Sequence, residues 1–173
     1  MLSKNNLFVS AAIIFFTLLG VSGAKADTPC FTLASLNGTY AVKGNYEGGI
    51  AVALGVRRLD EKGNLTGTFI LNEPVAGSTT GARTIITGTQ MGSVTTLNCN
   101  GTGVFTRVLT ASNGVVVTQM DDFVITQAIA QGGHLHATVI QDAQRTPSAL
   151  VTPGVLVTRE WTRVPEPKED AGQ

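Results

Sequence analysis

Apolar and polar residues alternate most regularly between residues 38 and 71, which read GTYAVKGNYEGGIAVALGVRRLDEKGNLTGTFIL. The apolar positions of this alternation are Tyr40, Val42, Tyr46, Ile50, Val52, Leu54, Val56, Leu65, Phe69 and Leu71. A period of two residues is typical of a β-strand with one buried face. The stretch therefore predicts three strands, the last two joined by the polar turn at 60–64.

Five further strands are predicted along the rest of the chain, each bounded by turn-forming residues. They lie near Arg83–Gln90, Gly103–Thr110, Val115–Ala130, His134–Ile140 and Leu156–Val164, with a long loop at Asp142–Pro153. Eight strands joined by hairpins can form a closed barrel or a two-sheet sandwich. We expect an all-β fold with a single antiparallel up-and-down barrel, because closure removes the edge strands that promote aggregation. The two-sheet β-sandwich is the alternative.

The composition supports this interpretation. The 173 residues include 23 Thr, 18 Val and 20 Gly but only 5 Lys, which favours strands and turns over a helical bundle. Twelve basic residues balance twelve acidic ones. The sequence therefore lacks the positive charge of a nucleic-acid-binding protein.

The N-terminus has the layout of a secretory signal peptide, with Lys4, an apolar run at 7–23 and Ala24-Lys25-Ala26. Cleavage after Ala26 gives three segments: a signal peptide at 1–26, a barrel domain at 27–164 and a disordered tail at 165–173. A transmembrane anchor is the alternative, but the cleavage motif favours a secreted or periplasmic protein without stable membrane insertion.

Cys30 and Cys99 are the only cysteines. In an oxidising compartment an isolated pair predicts a disulfide. A reactive or metal-binding thiol is the alternative, although the sequence contains no C-x-x-C motif.

Four short stretches carry a family resemblance: Leu36–Tyr40 (LNGTY), Leu59–Gly67 (LDEKGNLTG), Leu97–Gly103 (LNCNGTG) and Asp122–Ile125 (DFVI). In this order the chain resembles a group of exported bacterial proteins of uncharacterised function, similar to small calycin-like or allene-oxide-cyclase-like β-barrels. The resemblance implies the barrel fold and export, and it implies no catalytic residue.

A second resemblance concerns the lipocalins, whose first strand carries Gly-x-Trp packed against a basic side chain. Here Tyr40 takes the place of the Trp in Gly38-Thr39-Tyr40, and Arg159, Trp161 and Arg163 share one face of the last strand. The resemblance implies a cation–π contact that closes one end of the barrel. An ordinary cross-strand pair is the alternative.

Few residues point to chemistry. His134 and His136 share a strand face, with Asp142 at the same parity, and are weak candidates for a metal site. Polar surface residues are the alternative, so the sequence predicts no metal and no cofactor. Asp121 and Asp122 are adjacent, so they face opposite sides of a strand and form no acid–base pair. Arg57 and Arg58 fit an anion site or a solvated strand end equally well.

Three functions remain, in this order: a barrel that binds a small apolar ligand, a structural or interaction protein with a packed barrel, and a cyclase-like, isomerase-like or metal-assisted enzyme. The expected lining of a ligand cavity is Tyr40, Val42, Tyr46, Val52, Leu54, Phe69 and Leu71. Gly44 and Gly67 share this parity, where glycine either leaves room for a ligand or permits a sharp bend.

Overall fold

A computed structural model of the chain describes residues 29–151 and 155–165. The predicted signal peptide and all but the first residue of the predicted tail lie outside this range. The strands are β1 (Gly38–Tyr46), β2 (Val52–Leu59), β3 (Asn64–Pro74), β4 (Arg83–Leu97), β5 (Thr102–Ala111), β6 (Val116–Gln131), β7 (His134–Gln144) and β8 (Val157–Arg163).

The eight strands form a closed barrel in which each strand pairs antiparallel with its neighbours in the chain. β8 returns to β1, where Val42 lies opposite Trp161, and this pairing closes the sheet. The predicted up-and-down barrel is confirmed, and the alternative of a sandwich is wrong. Within the described residues no helix is long and apolar enough to cross a membrane.

One end of the barrel, which we call the floor, holds the start of β1 and the hairpin turns at 60–63 and 98–101. A 3₁₀ turn at Leu33–Leu36 lies across it and buries Leu36 completely. The predicted disulfide between Cys30 and Cys99 is confirmed, with the two Cα atoms 4.5 Å apart. Beside it, the Phe31 amide donates to the carbonyl oxygen of Cys99 at 3.2 Å. These contacts attach the N-terminal segment to the floor.

The opposite end, which we call the top, holds the connection between β7 and β8. Leu150, Val151 and Val155 of this connection are buried against the ends of the strands. The Ser148 amide donates to the carbonyl oxygen of Val155 at 3.0 Å. The loop was predicted to begin at Asp142, but β7 continues to Gln144.

Apolar side chains fill both ends of the interior. The floor cluster contains Leu36, Tyr40, Val42, Leu59, Leu65, Phe105, Phe123, Ile125, Ala137, Ile140 and Trp161. The top cluster contains Tyr46, Ala51, Phe69, Leu71, Ile86, Leu109, Ala111, Leu150, Val151, Val155 and Val157. The predicted inward parity of β1 and β3 is therefore correct.

The predicted parity of β2 is wrong. Val52 and Leu54 point outward, with 39% and 55% of their surface exposed, and Ile50 and Val56 are exposed as well. In the register of the sheet Tyr40 lies opposite Arg57, which places Arg57 inside. The 3₁₀ turn at Glu47–Gly49 separates β1 from β2, so the alternation of β1 does not continue in phase.

Inward glycines allow close packing and do not enlarge a cavity. A Cβ atom at Gly67 would collide with the carbonyl oxygen of Val56, so this glycine lets two strands approach. A Cβ atom at Gly88 would collide with the ring of Phe69, which occupies the space above it.

Candidate functional site

A layer of charged and amide side chains lies between the two apolar clusters. We call it the charged layer; its members are Arg57, Gln90, Arg107, Gln119, Asp121, Asp142 and Arg159. Each is at most 6% exposed. Buried charges at this density must be paired to be tolerated, so their contacts decide what the layer can do.

Five strands place the charges of this layer. Arg57 lies on β2, Arg107 on β5, Asp121 on β6, Asp142 on β7 and Arg159 on β8. Each occupies an inward position, and Asp142 lies directly opposite Arg159 in the sheet. The layer thus connects strands that are far apart in the chain.

Asp142 accepts three hydrogen bonds from buried donors. Arg57 Nη1 lies 2.9 Å from Oδ2, and Arg159 Nη1 lies 2.5 Å from Oδ1. The indole nitrogen of Trp161 also donates to Oδ2, at 2.5 Å. This carboxylate therefore joins the charged layer to the floor cluster.

Asp121 is held by two arginines. Arg107 Nε donates to Oδ2 at 2.7 Å, and Arg159 Nη1 donates to Oδ1 at 2.9 Å. Arg159 thereby bridges both aspartates. Asp122, the exposed neighbour of Asp121 in the chain, points outward and pairs with Arg145 at 2.6 Å. This confirms that the adjacent aspartates face opposite sides.

The pKa values follow from burial and from these ion pairs. Burial raises the pKa of Asp121, but the guanidinium groups of Arg159 and Arg107 outweigh it and lower the value to about 2. Burial, together with the nearby Arg107, lowers the pKa of Arg57 to about 9. Burial also lowers the pKa of Arg159, but Asp142 and Asp121 outweigh it and raise the value above its usual range. At neutral pH these three groups are charged, so Asp121 does not have the raised pKa typical of a catalytic acid.

Aromatic rings pack against two arginines on the floor side. The guanidinium carbon of Arg57 lies 4.1 Å from the ring centroid of Trp161, within the range of a cation–π contact. Arg163 lies 5.2 Å from the centroid of Tyr40 and donates to its hydroxyl at 3.0 Å. The aromatic–basic contact implied by the lipocalin resemblance is therefore present, between Tyr40 and Arg163.

The space left inside the described part of the barrel is small. Five of the seven predicted lining residues face inward, namely Tyr40, Val42, Tyr46, Phe69 and Leu71, whereas Val52 and Leu54 do not. A cavity of about 20 Å³ lies between the charged layer and Leu150. This volume suits one water or one small ion, whereas pockets for drug-sized ligands are more than tenfold larger.

His134 and His136 lie at the start of β7, beside the turn at Gly132 and Gly133. The β6–β7 pairing is irregular near Gln127, so the inward parity changes along β7. Ala137 points inward before the irregularity, and Ile140 and Asp142 point inward after it. The predicted common face of the histidines with Asp142 is therefore wrong. Among the described residues, no group of three His, Cys, Asp or Glu side chains could hold a metal ion.

The outer surface of the barrel is divided between a charged and an uncharged side. An open groove of about 970 Å³ extends from β1 across β8, β7 and β6 to β5 and the end of β4, and its charged and amide lining includes Lys43, Asn45, Asp122, Gln141, Arg145 and Glu160. On the other side, the outward residues of β2, β3 and β4 form what we call the uncharged wall: Val52, Leu54, Val56, Thr66, Thr68, Ile70, Ile85, Thr87, Thr89 and Met91. Arg58 and Arg83 bound this wall at its two ends.

The alternation of residues contains a pattern that predicts buried charges. Arg107 falls between Phe105 and Leu109 at a spacing of two, and Arg159 falls between Val157 and Trp161. A charge that shares the parity of large apolar residues on both sides is expected inside the barrel, where it needs a partner. The sequence-based predictions assign Arg57 and Arg159 to other roles and do not include Arg107.

Neither models of protein families nor curated proteins match this chain.

Proposed function

We propose that this is an exported structural or interaction protein, whose packed barrel binds a second copy of itself through the uncharged wall. The filled interior favours this function over binding of an apolar ligand. Both aspartates of the charged layer are held by arginines, which favours it over an enzyme. The Cys30–Cys99 disulfide is the bond expected of a secreted or periplasmic protein.

The observation that carries the proposal is the exposure of large apolar side chains on adjacent strands. Leu54 and Ile70 lie directly opposite each other in the β2–β3 register and are 55% and 49% exposed. Ile85 and Met91 extend the surface onto β4, at 56% and 64% exposure. Exposed apolar side chains grouped on adjacent strands mark interaction sites more often than scattered ones do.

A second copy fits this wall because the wall has no charge for a partner to match. In a twofold contact the same surface occurs on both sides, so a charged wall would repel itself while a neutral one does not. The closed barrel has no unpaired strand edge, so contact occurs face to face through side chains, as between packed sheets. Lys43, Asp122 and Glu160 lie on the groove side, where they remain in solvent.

Sedimentation velocity over a range of concentrations tests the proposal on the full mature protein. We expect concentration-dependent association of the wild type, and loss of association in Leu54→Lys, because two lysines would face each other across the contact. Thr158→Lys is the matched control: it adds the same charge at an exposed β8 position on the groove side and should associate like the wild type.

Two results would overturn the proposal. One is a wild-type protein that stays monomeric at every concentration. The other is equal loss of association in Leu54→Lys and Thr158→Lys. If the monomeric wild type instead binds uncharged phosphatidylcholine vesicles and Leu54→Lys does not, the partner of the wall is a lipid surface and not a second copy.

A further inference from the structure

We propose that the barrel interior binds one small monovalent anion, of the size of chloride or bromide, between Arg57, Arg107 and Arg159. The site is the cavity on the top side of the charged layer, beneath Leu150. The proposal is independent of self-association through the uncharged wall.

The first argument is charge. The charged layer contains three guanidinium groups and two carboxylates, so one positive charge is in excess. Tyr46 lines the same cavity, and burial raises the pKa of its hydroxyl, so it remains neutral and supplies no counter-charge. A buried charge without a counter-charge is unfavourable, and a bound anion would balance it.

The second argument is the position of the donors. All three arginines line the cavity, together with Gln90 and Tyr46. Within the described residues, Arg159 donates hydrogen bonds through Nη1 alone, and Arg57 donates through Nε and Nη1. Guanidinium groups carry five N–H donors each, so both have donors left to hold an anion.

The third argument is size and surroundings. The cavity holds about 20 Å³, which is enough for a single halide ion but not for sulfate or an organic carboxylate such as gluconate. Phe69, Leu109 and Leu150 form its apolar side, where an anion is shielded from water. Shielding strengthens the attraction between the ion and the guanidinium groups.

The test is unfolding at fixed ionic strength and fixed protein concentration, with sodium chloride exchanged for sodium gluconate. If one chloride binds only the folded state, the apparent unfolding constant falls about tenfold for each tenfold rise in chloride above its dissociation constant. Sodium bromide should act like chloride. Equal stability in chloride and gluconate would overturn the proposal.

Two adjacent arginines provide the matched variants. Arg57→Gln removes the excess charge and should abolish the preference for chloride. Arg58→Gln removes the same charge from the outer surface and should retain that preference. A preference that persists in Arg57→Gln would place the ion elsewhere and refute the site.

Should Arg57→Gln fail to fold, crystals of the wild type grown with sodium bromide decide the question. A bromide anomalous peak among Arg57, Arg107 and Arg159 would support the site. The absence of a peak there would refute it.

Discussion

Asp121 and Asp122 are consecutive residues of β6, yet the first is completely buried and the second is exposed. Asp121 accepts from Arg107 and Arg159, so its loss leaves buried positive charge without a counter-charge. The ion pair between Asp122 and Arg145 lies in solvent, which weakens it. Position on the strand therefore gives the same residue type two different energetic roles.

We expect Asp121→Asn to destabilise the fold by about 3–5 kcal/mol, since it breaks a buried ion pair. The matched change Asp122→Asn should cost about 1 kcal/mol or less, because exposed pairs contribute little. Urea unfolding of both variants measures the difference. Similar losses in the two would contradict the assignment of Asp121 to the interior network.

The low pKa of Asp121 also predicts a dependence of stability on pH. Its pKa is about 2 in the folded protein, below the ordinary value of 3.8, so ionised Asp121 stabilises the fold above pH 3.8. This contribution, on the order of 2 kcal/mol, is lost as the pH falls from about 4 to 2. Urea unfolding between pH 5 and 2 should show a shallower loss in Asp121→Asn than in Asp122→Asn, and equal slopes would be inconsistent with this pKa.

Among the described residues, Gln144 points inward and has side-chain polar atoms without a partner. Both its amide nitrogen and its amide oxygen are buried without a hydrogen bond among the described residues. Gln119, in contrast, accepts from Arg107 Nη2 at 2.7 Å. Replacing an unpaired buried polar group by an apolar group of similar size removes a desolvation penalty.

We therefore expect Gln144→Leu to raise the unfolding free energy by about 1 kcal/mol, and Gln119→Leu to lower it by about 1–3 kcal/mol. Thermal unfolding of the two variants at neutral pH tests both signs. A loss of stability in Gln144→Leu as large as that in Gln119→Leu would show that the Gln144 amide is satisfied.

At the scale of the strands, close approach depends on glycine. Gly88 of β4 faces the ring of Phe69 on β3, and a methyl group there would overlap the ring and the carbonyl oxygen of Thr110. Gly44 of β1 is less crowded: a Cβ atom would lie 3.3 Å from Ala53 Cβ and from Arg159 Cγ.

Gly88→Ala should therefore destabilise the barrel by about 1–3 kcal/mol through overpacking. Gly44→Ala introduces the same methyl group with milder contacts and should cost clearly less. Denaturant unfolding of the pair gives the comparison. If Gly88→Ala is neutral, the ring of Phe69 moves freely and the interior is looser than its packing indicates.

The strands also show how far the sequence alone could lead. The alternation in β1 and β3 predicted their inward faces because most of their large apolar residues occur at one parity, with Ile70 of β3 as an exception. In β2 the apolar residues Val52, Leu54 and Val56 lie outside, and the inward positions are Ala53, Gly55, Arg57 and Leu59. Alternation defines the two faces of a strand but does not show which face is buried. Here the buried face contains Arg57, whose partner Asp142 lies on the distant strand β7.

The pairings within the charged layer could not be predicted for a related reason. Asp142 follows a predicted strand end, and its inward orientation depends on the irregularity of the β6–β7 pairing near Gln127. Its three donors come from β2 and β8, more than fifteen residues away in the chain. Such contacts are set by closure of the barrel, which local sequence patterns do not contain.

At the scale of the whole molecule, charge is distributed unevenly. Arginines and aspartates occupy the middle of the interior, and other charges line the groove across β1, β6, β7 and β8. The uncharged wall on β2, β3 and β4 carries no charged side chain, and Arg58 and Arg83 lie at its two ends. A barrel whose interior is filled by apolar side chains at both ends and by ion pairs in the middle, and whose outer wall is uncharged, favours association through that wall over storage of an apolar ligand.

Phe69 and Ile70 are adjacent residues of β3 that face opposite sides. Phe69 packs in the interior and is 8% exposed, whereas Ile70 lies on the uncharged wall and is 49% exposed. Sedimentation equilibrium of Phe69→Ala and Ile70→Lys, with urea unfolding of the same samples, tests the division most directly. We predict that Phe69→Ala loses about 3–5 kcal/mol of stability but still associates when folded. Ile70→Lys should become monomeric while its monomer keeps its stability to within about 0.5 kcal/mol. An Ile70→Lys variant that associates like the wild type, beside a Phe69→Ala variant that loses little stability and binds an apolar dye, would contradict both the packed interior and the associating wall.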